Sequence, residues 1–278
     1  MVDTLTRPET PDRPDSPARS GTTPWLRPFW RIVSAVAAVV LLTTGTVQAA
    51  SFLGHEEETV VTTVPAEGLT TLVVDNSAGP VRVVGVREAD EVRVTARVSR
   101  GWRPTGYGQR VEGDRLVLDA TCPIFPSEFC RVRYTVEVPA DMDVVVDADG
   151  WLRASGLDGD VDLSTDSGSI EVERLSGDVR MYSDAGRVEG DRLTGSGVEA
   201  GSDAGSVRLS FDEAPDHVVA DSDAGSVEVV VPDDGEPYRV TAESDAGSTT
   251  TDVDQTRDAD RSIVATSDAG STTVRYAS

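Results

Sequence analysis

The sequence predicts an all-β fold: a parallel, β-helix-like solenoid of two-strand repeats, each about 20 residues long, preceded by one transmembrane helix. Three observations predict it. The phrase Ser-Asp-Ala-Gly-Ser recurs at 202–206, 222–226, 244–248 and 267–271, with near copies at 165–169 and 183–187. Apolar and polar residues alternate on both sides of each phrase, as in strands with one face buried. Aromatics make up only 5% of the 278 residues while Gly, Asp, Ser, Thr and Val abound, which suits short strands and many turns.

The spacing sets the architecture. Successive copies place Asp166, Asp184, Asp203, Asp223, Asp245 and Asp268 at steps of 18, 19, 20, 22 and 23 residues. A second turn falls between copies, at "LDGDV" from Leu157, "LSGDV" from Leu175, "LTGSGV" from Leu193 and "PDDGEP" from Pro232. Each repeat therefore holds two strands and two turns. Before the phrase one parity carries Val161, Leu163 and Thr165, then Val198, Ala200 and Ser202, then Val218, Ala220 and Ser222. After it the matching parity carries Val207, Leu209 and Phe211. One such unit cannot bury its apolar face, but a stack builds a continuous narrow core.

Coils paired in parallel at about 4.8 Å give a rod of roughly 30 Å from the six copies plus the weaker coil "VVVDADGWLRA". The earlier "LVVDNSAGPVRVVGV" reads as a further coil, separated from the stack by a cysteine-bearing excursion. Within the phrase, Gly is expected to supply positive φ and Asp to bond the nearby backbone. Ser202 and its equivalents share the buried parity, so their hydroxyls should turn toward the corner backbone. The alternative is an antiparallel β-sandwich in which each phrase is a hairpin turn.

Along the chain four segments follow. Residues 1–24 are too polar and proline-rich to bury a core and read as a disordered cytoplasmic tail. Residues 25–54 read as a transmembrane signal-anchor, in which 32–53 runs for 22 residues without a charge. Arg27 and Arg31 before it, and Glu56, Glu57 and Glu58 after it, put the N-terminus in the cytoplasm and the rest outside a single-pass cell membrane protein. The rival reading is a signal peptide cleaved near Ala49, after "VQA", which would release a secreted chain. Residues 55–140 form an irregular β region with a cysteine loop, and 141–278 the acidic solenoid repeats. In the exported compartment that both readings imply, Cys122 and Cys130 are expected to form a disulfide. It would stabilise the fold by roughly 2.5 kcal/mol.

Charge and chemistry narrow the function. Of the net −24, residues 141–278 contribute 32 acids against ten Arg, while 55–140 hold thirteen acids against ten Arg. Such a surface repels nucleic acid and anionic lipid. A column of acids could collect cations, and Asp203, Asp223, Asp245 and Asp268 are the calcium candidates. The nine-residue calcium β-roll repeat is nevertheless absent, so solvated turns are the simpler reading and no cofactor is expected. His55 and His217 are the only histidines and there is no Lys, so neither a triad nor a Ser-Lys pair can be assembled from the sequence. No catalytic residues are assigned, and the expected role is non-enzymatic. Trp102, Tyr107 and Trp151 invite a carbohydrate-stacking surface, with buried caps of the stack as the preferred reading. A terminal coil near Thr272–Tyr276 would leave a sheet edge for self-association.

The motifs "VDNSAGPVRVVG", "TDSGSIEVERLSGDV" and the "SDAGSV" series resemble those of the bacterial putative adhesin family, a domain of unknown function on exported and membrane-anchored envelope proteins. The resemblance covers about residues 65–275 and departs from the family at the cysteine loop. It implies a solenoid-like β domain outside the membrane and an adhesin-like interaction module of the cell envelope. The implied partner is an envelope protein or polysaccharide, and no catalytic residues come with the resemblance. The alternatives are a polysaccharide-acting β-helix enzyme and a calcium-stabilised structural stalk.

Overall fold

The computed structural model describes residues 56–100, 106–122 and 130–277. The expected tail, the 32–53 span, His55 and Trp102 lie outside the described residues. Among the described residues no helix is long and apolar enough to cross a membrane.

The alternation read from the sequence becomes strands throughout. Before the repeats come β1 (Glu56–Pro65), β2 (Thr71–Asn76), β3 (Val81–Val86), β4 (Glu91–Arg100), β5 (Gly106–Glu112), β6 (Arg115–Thr121) and β7 (Arg131–Pro139). The repeats supply β8 (Asp143–Ala148) with β9 (Leu152–Leu157), β10 (Val161–Ser167) with β11 (Ile170–Leu175), and β12 (Val179–Ala185) with β13 (Val188–Leu193). Next are β14 (Gly197–Ser202) with β15 (Val207–Phe211) and β16 (His217–Ser222) with β17 (Val227–Val231). The last are β18 (Arg239–Ser244) with β19 (Thr249–Asp252) and β20 (Ser262–Ser267) with β21 (Thr272–Tyr276).

One strand of each couple enters a ten-stranded sheet and the other an eleven-stranded sheet, and the apolar parities of the two meet between them. Both sheets run unbroken across residue 140. Through the repeats the pairing is parallel and in register, as in Val161 with Val179, Val198 with Val218 and Val207 with Val227. That excludes a hairpin sandwich for this region. Among the described residues antiparallel pairs occur only where β1, β4 and β7 extend one sheet and β5 extends the other. The disulfide Cys122–Cys130 closes the excursion between β6 and β7, with its Cα atoms 5.8 Å apart.

The order of coils departs from the expectation at both ends. In space it runs β6/β7, β2/β3, β8/β9, then regularly to β16/β17, and finishes β20/β21, β18/β19. Nine coils at strand spacing make a stack of roughly 40 Å. The coil at "LVVDNSAGPVRVVGV" is therefore not set apart from the repeats: β2 and β3 pair directly with β8 and β9, and the excursion folds onto their other side. Likewise Thr272–Tyr276 is no terminal edge. It lies between β17 and β19, with Thr272 and Val274 fully buried.

Burial explains the second departure. The inner positions of β20/β21 include Ile263, Ala265 and Val274, all fully buried, whereas β18/β19 offers Val240 and Ala242, only half-buried, and the threonines 249 and 251. Placing the more apolar coil inside removes more apolar surface from water. Longer turns, 232–238 and 253–261, carry the chain past the skipped layer and back. Tyr238 is buried between them; Arg261 lies over its ring at 5.9 Å and pairs with Asp234 at 2.5 Å.

Candidate functional site

The repeated phrase is a corner built from two serine ladders and a glycine stack. Its first hydroxyl points inward, as its parity predicts, and donates to the glycine carbonyl of the adjacent coil. Thr165 donates to Gly150 at 2.9 Å, Ser183 to Gly168 at 2.9 Å and Ser202 to Gly186 at 2.9 Å. Ser222 donates to Gly205 at 2.7 Å, Ser267 to Gly225 at 2.8 Å and Ser244 to Gly270 at 2.7 Å. The last serine makes a weaker outer ladder, in which the amide of Ser226 donates to the Ser206 hydroxyl at 3.3 Å and that of Ser271 to the Ser226 hydroxyl at 3.3 Å. Backbone bonds join the layers between these ladders, as from Asp203 to Ser183 and from Ala204 to Asp184.

Glycine is required here for a reason other than the expected one. Gly186, Gly205, Gly225, Gly247 and Gly270 do not adopt positive φ. A Cβ on each would instead collide with the backbone carbonyl of the glycine in the neighbouring layer. Positive φ appears in the near copy at Gly168 (154°) and, one residue before the ends of β11 and β13, on the non-glycine residues Arg174 (55°) and Arg192 (53°).

The aspartates of the phrase point outward, one per coil. Because of the skipped layer, the calcium candidates follow the order Asp203, Asp223, Asp268, Asp245. Asp203 accepts a hydrogen bond from the Tyr182 hydroxyl, an interaction that pushes the Tyr182 pKa up to about 12. Among the described residues no group of three or more His, Cys, Asp or Glu is placed to hold a metal ion. Acids in the neighbouring columns feel one another. Partial burial, and then the charges of Asp166, Asp75 and Asp149, raise the Asp147 carboxyl above its usual range. Burial and then Asp166 raise Asp149, and burial and then Asp223 raise Asp221.

Two further features were not visible in the sequence. Parallel register sets His217 opposite Ser262, 45 residues on, with Nδ1 at 2.8 Å from the hydroxyl. The pair is exposed, and among the described residues no acid bonds the other ring nitrogen, so it lacks the orienting member of a triad. Of the candidate stacking aromatics, Tyr107 packs against the core, whereas Trp151 is 39% exposed and is not a buried cap.

Around Trp151 the outer face of the eleven-stranded sheet is basic. Register places Arg97 opposite Arg133, Arg131 opposite Ser99, Arg82 opposite Thr135 and Arg82 opposite Arg153. Arg153 lies 5.5 Å from the Trp151 ring centroid and pairs with Glu171 at 2.5 Å. Arg82, Arg97, Arg131 and Arg133 make no ion pair with a described residue, and Arg133 Nε is buried without a hydrogen-bond partner. Beside them a shallow groove of about 370 Å³ crosses the strands from Arg82 and Arg153 to Glu189 and Asp191.

Comparison with known proteins accords with this architecture. Residues 136–278, just over half the chain, match Toastrack DUF4097, a domain of unknown function. The chain belongs to the Toastrack DUF4097 family. Among solved structures it is similar to a putative adhesin from Bacteroides fragilis, at 12% identity over 79% of this chain and 97% of that one, with a TM-score of 0.50. A putative cell adhesion protein from Clostridium sporogenes is also similar at 12% identity, over 80% of this chain and all of that one, with a TM-score of 0.38. No curated protein matches the chain. The Bacteroides likeness speaks for the Toastrack fold alone.

Proposed function

We propose that this Toastrack protein is a non-enzymatic, membrane-anchored, extracytoplasmic adhesin-like module of the cell envelope. The observation that carries the reading is the Cys122–Cys130 disulfide, because such a bond persists in an oxidising compartment. The uncharged 32–53 span supports it by offering a route of export and an anchor. The name borne by the Bacteroides fragilis protein supports the adhesin-like role. Stacked coils also suit it physically, since they hold outward side chains at fixed spacing over a long rigid face.

Topology tests this reading. A reporter fused after Ser278 is expected to be active only when exported, and protease added to intact cells should remove it. Activity of a cytoplasm-only reporter at that position would sink the proposal.

A further inference from the structure

We infer that the basic outer face around Arg82, Arg97, Arg131, Arg133, Arg153 and Trp151 is a docking site for an acidic polysaccharide. The inference deepens the adhesin-like reading and rests on it by naming the ligand class of the module. The anomaly that motivates it is electrostatic. The chain has 49 acids against 25 bases, so carboxylates are in surplus. In the repeats Arg174, Arg180, Arg192, Arg208, Arg261 and Arg275 each meet one. Among the described residues Arg187, Arg239 and Arg257 of the repeats meet none, but on this face four arginines that meet none, Arg82, Arg97, Arg131 and Arg133, lie together on the adjoining strands β3, β4 and β7. Arg82 and Arg153 stand directly opposite on paired strands, where like charges oppose folding. Glu171 offsets the charge of Arg153 but leaves Arg82, Arg97, Arg131 and Arg133 without an ion-pair partner among the described residues, and an anion lying across the face would supply one.

The chemistry of the face selects the anion. Guanidinium groups present planar forks of donors that match carboxylate, sulfate or phosphate oxygens. A nucleic acid or a lipid surface would need little more than charge. Trp151 adds an exposed indole beside Arg153, a flat apolar surface suited to the C–H face of a sugar ring. The groove leading from Arg82 toward Glu189 and Asp191 adds carboxylates that accept hydrogen bonds from sugar hydroxyls. A ring bearing one acid group and several hydroxyls satisfies all three features.

The net charge of −24 gives the interaction an unusual salt profile. At about 0.01 M salt the screening length is about 30 Å, so the acidic repeats act on an incoming polyanion as well as the arginines do. At about 0.1 M it is about 10 Å, and the basic face acts almost alone. At about 1 M both are screened. Affinity should therefore peak at intermediate salt instead of falling steadily.

The test uses the full chain in nanodiscs of neutral lipid, presented with immobilised polygalacturonate, neutral dextran, or vesicles containing phosphatidylglycerol. We expect binding to polygalacturonate alone, tightest near 0.1 M salt and about tenfold weaker at 1 M. Arg82→Glu with Arg153→Glu should weaken it about tenfold or more, and Trp151→Ala about threefold, with Trp151→Phe restoring most of the loss. Arg180→Ala, at a paired arginine on the ten-stranded sheet, should leave it unchanged. Equal binding by the double variant, indifference to Trp151→Ala, or preference for the anionic vesicles would each overturn the assignment. Melting curves of each variant show that the fold is intact. Failure here leaves the topology result standing, so the two proposals fall separately.

Discussion

At the phrase corner the same five residues, Ser-Asp-Ala-Gly-Ser, hold the same places in four coils, whereas the opposite turn varies from 158–160 in one coil to 232–238 in another. The corner spends its side chains on the layer beside it: an inward hydroxyl to a carbonyl, a glycine with no room for a Cβ. The opposite turn is free of those constraints and accommodates glycine, arginine and proline alike. The corner therefore fixes the spacing and register of layers, and the turn decides which layer comes next. Only the variable side of the coil allows the chain to pass over β20/β21 and return.

Glycine substitution offers the largest break between the two sides. Gly205→Val should cost about 3 kcal/mol or more, since the added atoms meet backbone and not a mobile side chain. Gly235, at the long turn, has a φ of 80° and nothing within 4 Å of a Cβ, so Gly235→Asn should cost less than about 1 kcal/mol. Urea denaturation of the two variants measures the contrast. Equal losses would show that the corner is not set by the stack.

A second pair of variants sharpens the layer order. Ile263→Ala should cost about 3 kcal/mol and Val240→Ala about 1 kcal/mol or less, because Ile263 is fully buried in an inner coil and Val240 half-buried in the outermost. Stacking in sequence order would put Val240 inside and narrow or reverse the ranking.

The smallest effect is on pH. Asp147, Asp149 and Asp221 have pKa values raised above their unfolded values, so the folded state holds their protons more tightly. Their contribution to stability is fully present below the unfolded carboxylate pKa and is lost as pH rises through the folded values. Asp234, lowered by its hydrogen bond to Arg261, works in the opposite sense. Acidifying from neutral pH should raise Tm slightly, and Asp147→Asn with Asp149→Asn should raise it at neutral pH and flatten the profile. A Tm that falls on mild acidification in the parent and is unaffected by the double variant would contradict this.

What the sequence made legible was whatever depends on neighbours along the chain. The alternation of Val218, Ala220 and Ser222, the two turns per repeat and the inward hydroxyls are local patterns, and all appear in the structure. The layer order was not legible, although the 22- and 23-residue steps carried its trace as longer turns. Choosing between β18/β19 and β20/β21 for the inner place requires comparing the burial of whole coils. The role of glycine was misread because positive φ is a property of one residue, while the clash that forbids a Cβ comes from another coil. The basic face was hidden for a similar reason. Arg82, Arg97, Arg133 and Arg153 come from four strands, and only the register of β4, β7, β3 and β9 gathers them.

The tucked order of the last coils also governs how the molecule responds to force. In a solenoid wound in sequence order, tension on the C-terminus peels the final coil from an open edge, one layer at a time. Here β21 has a strand on each side, so pulling Tyr276 must shear it from β17 and β19 together. Unravelling from the edge has to begin within 239–252, in mid-chain, where no free end can be gripped. Among the described residues the strand at Tyr276 is thus held on both sides, and this end of the stack is fastened by the order of its own coils.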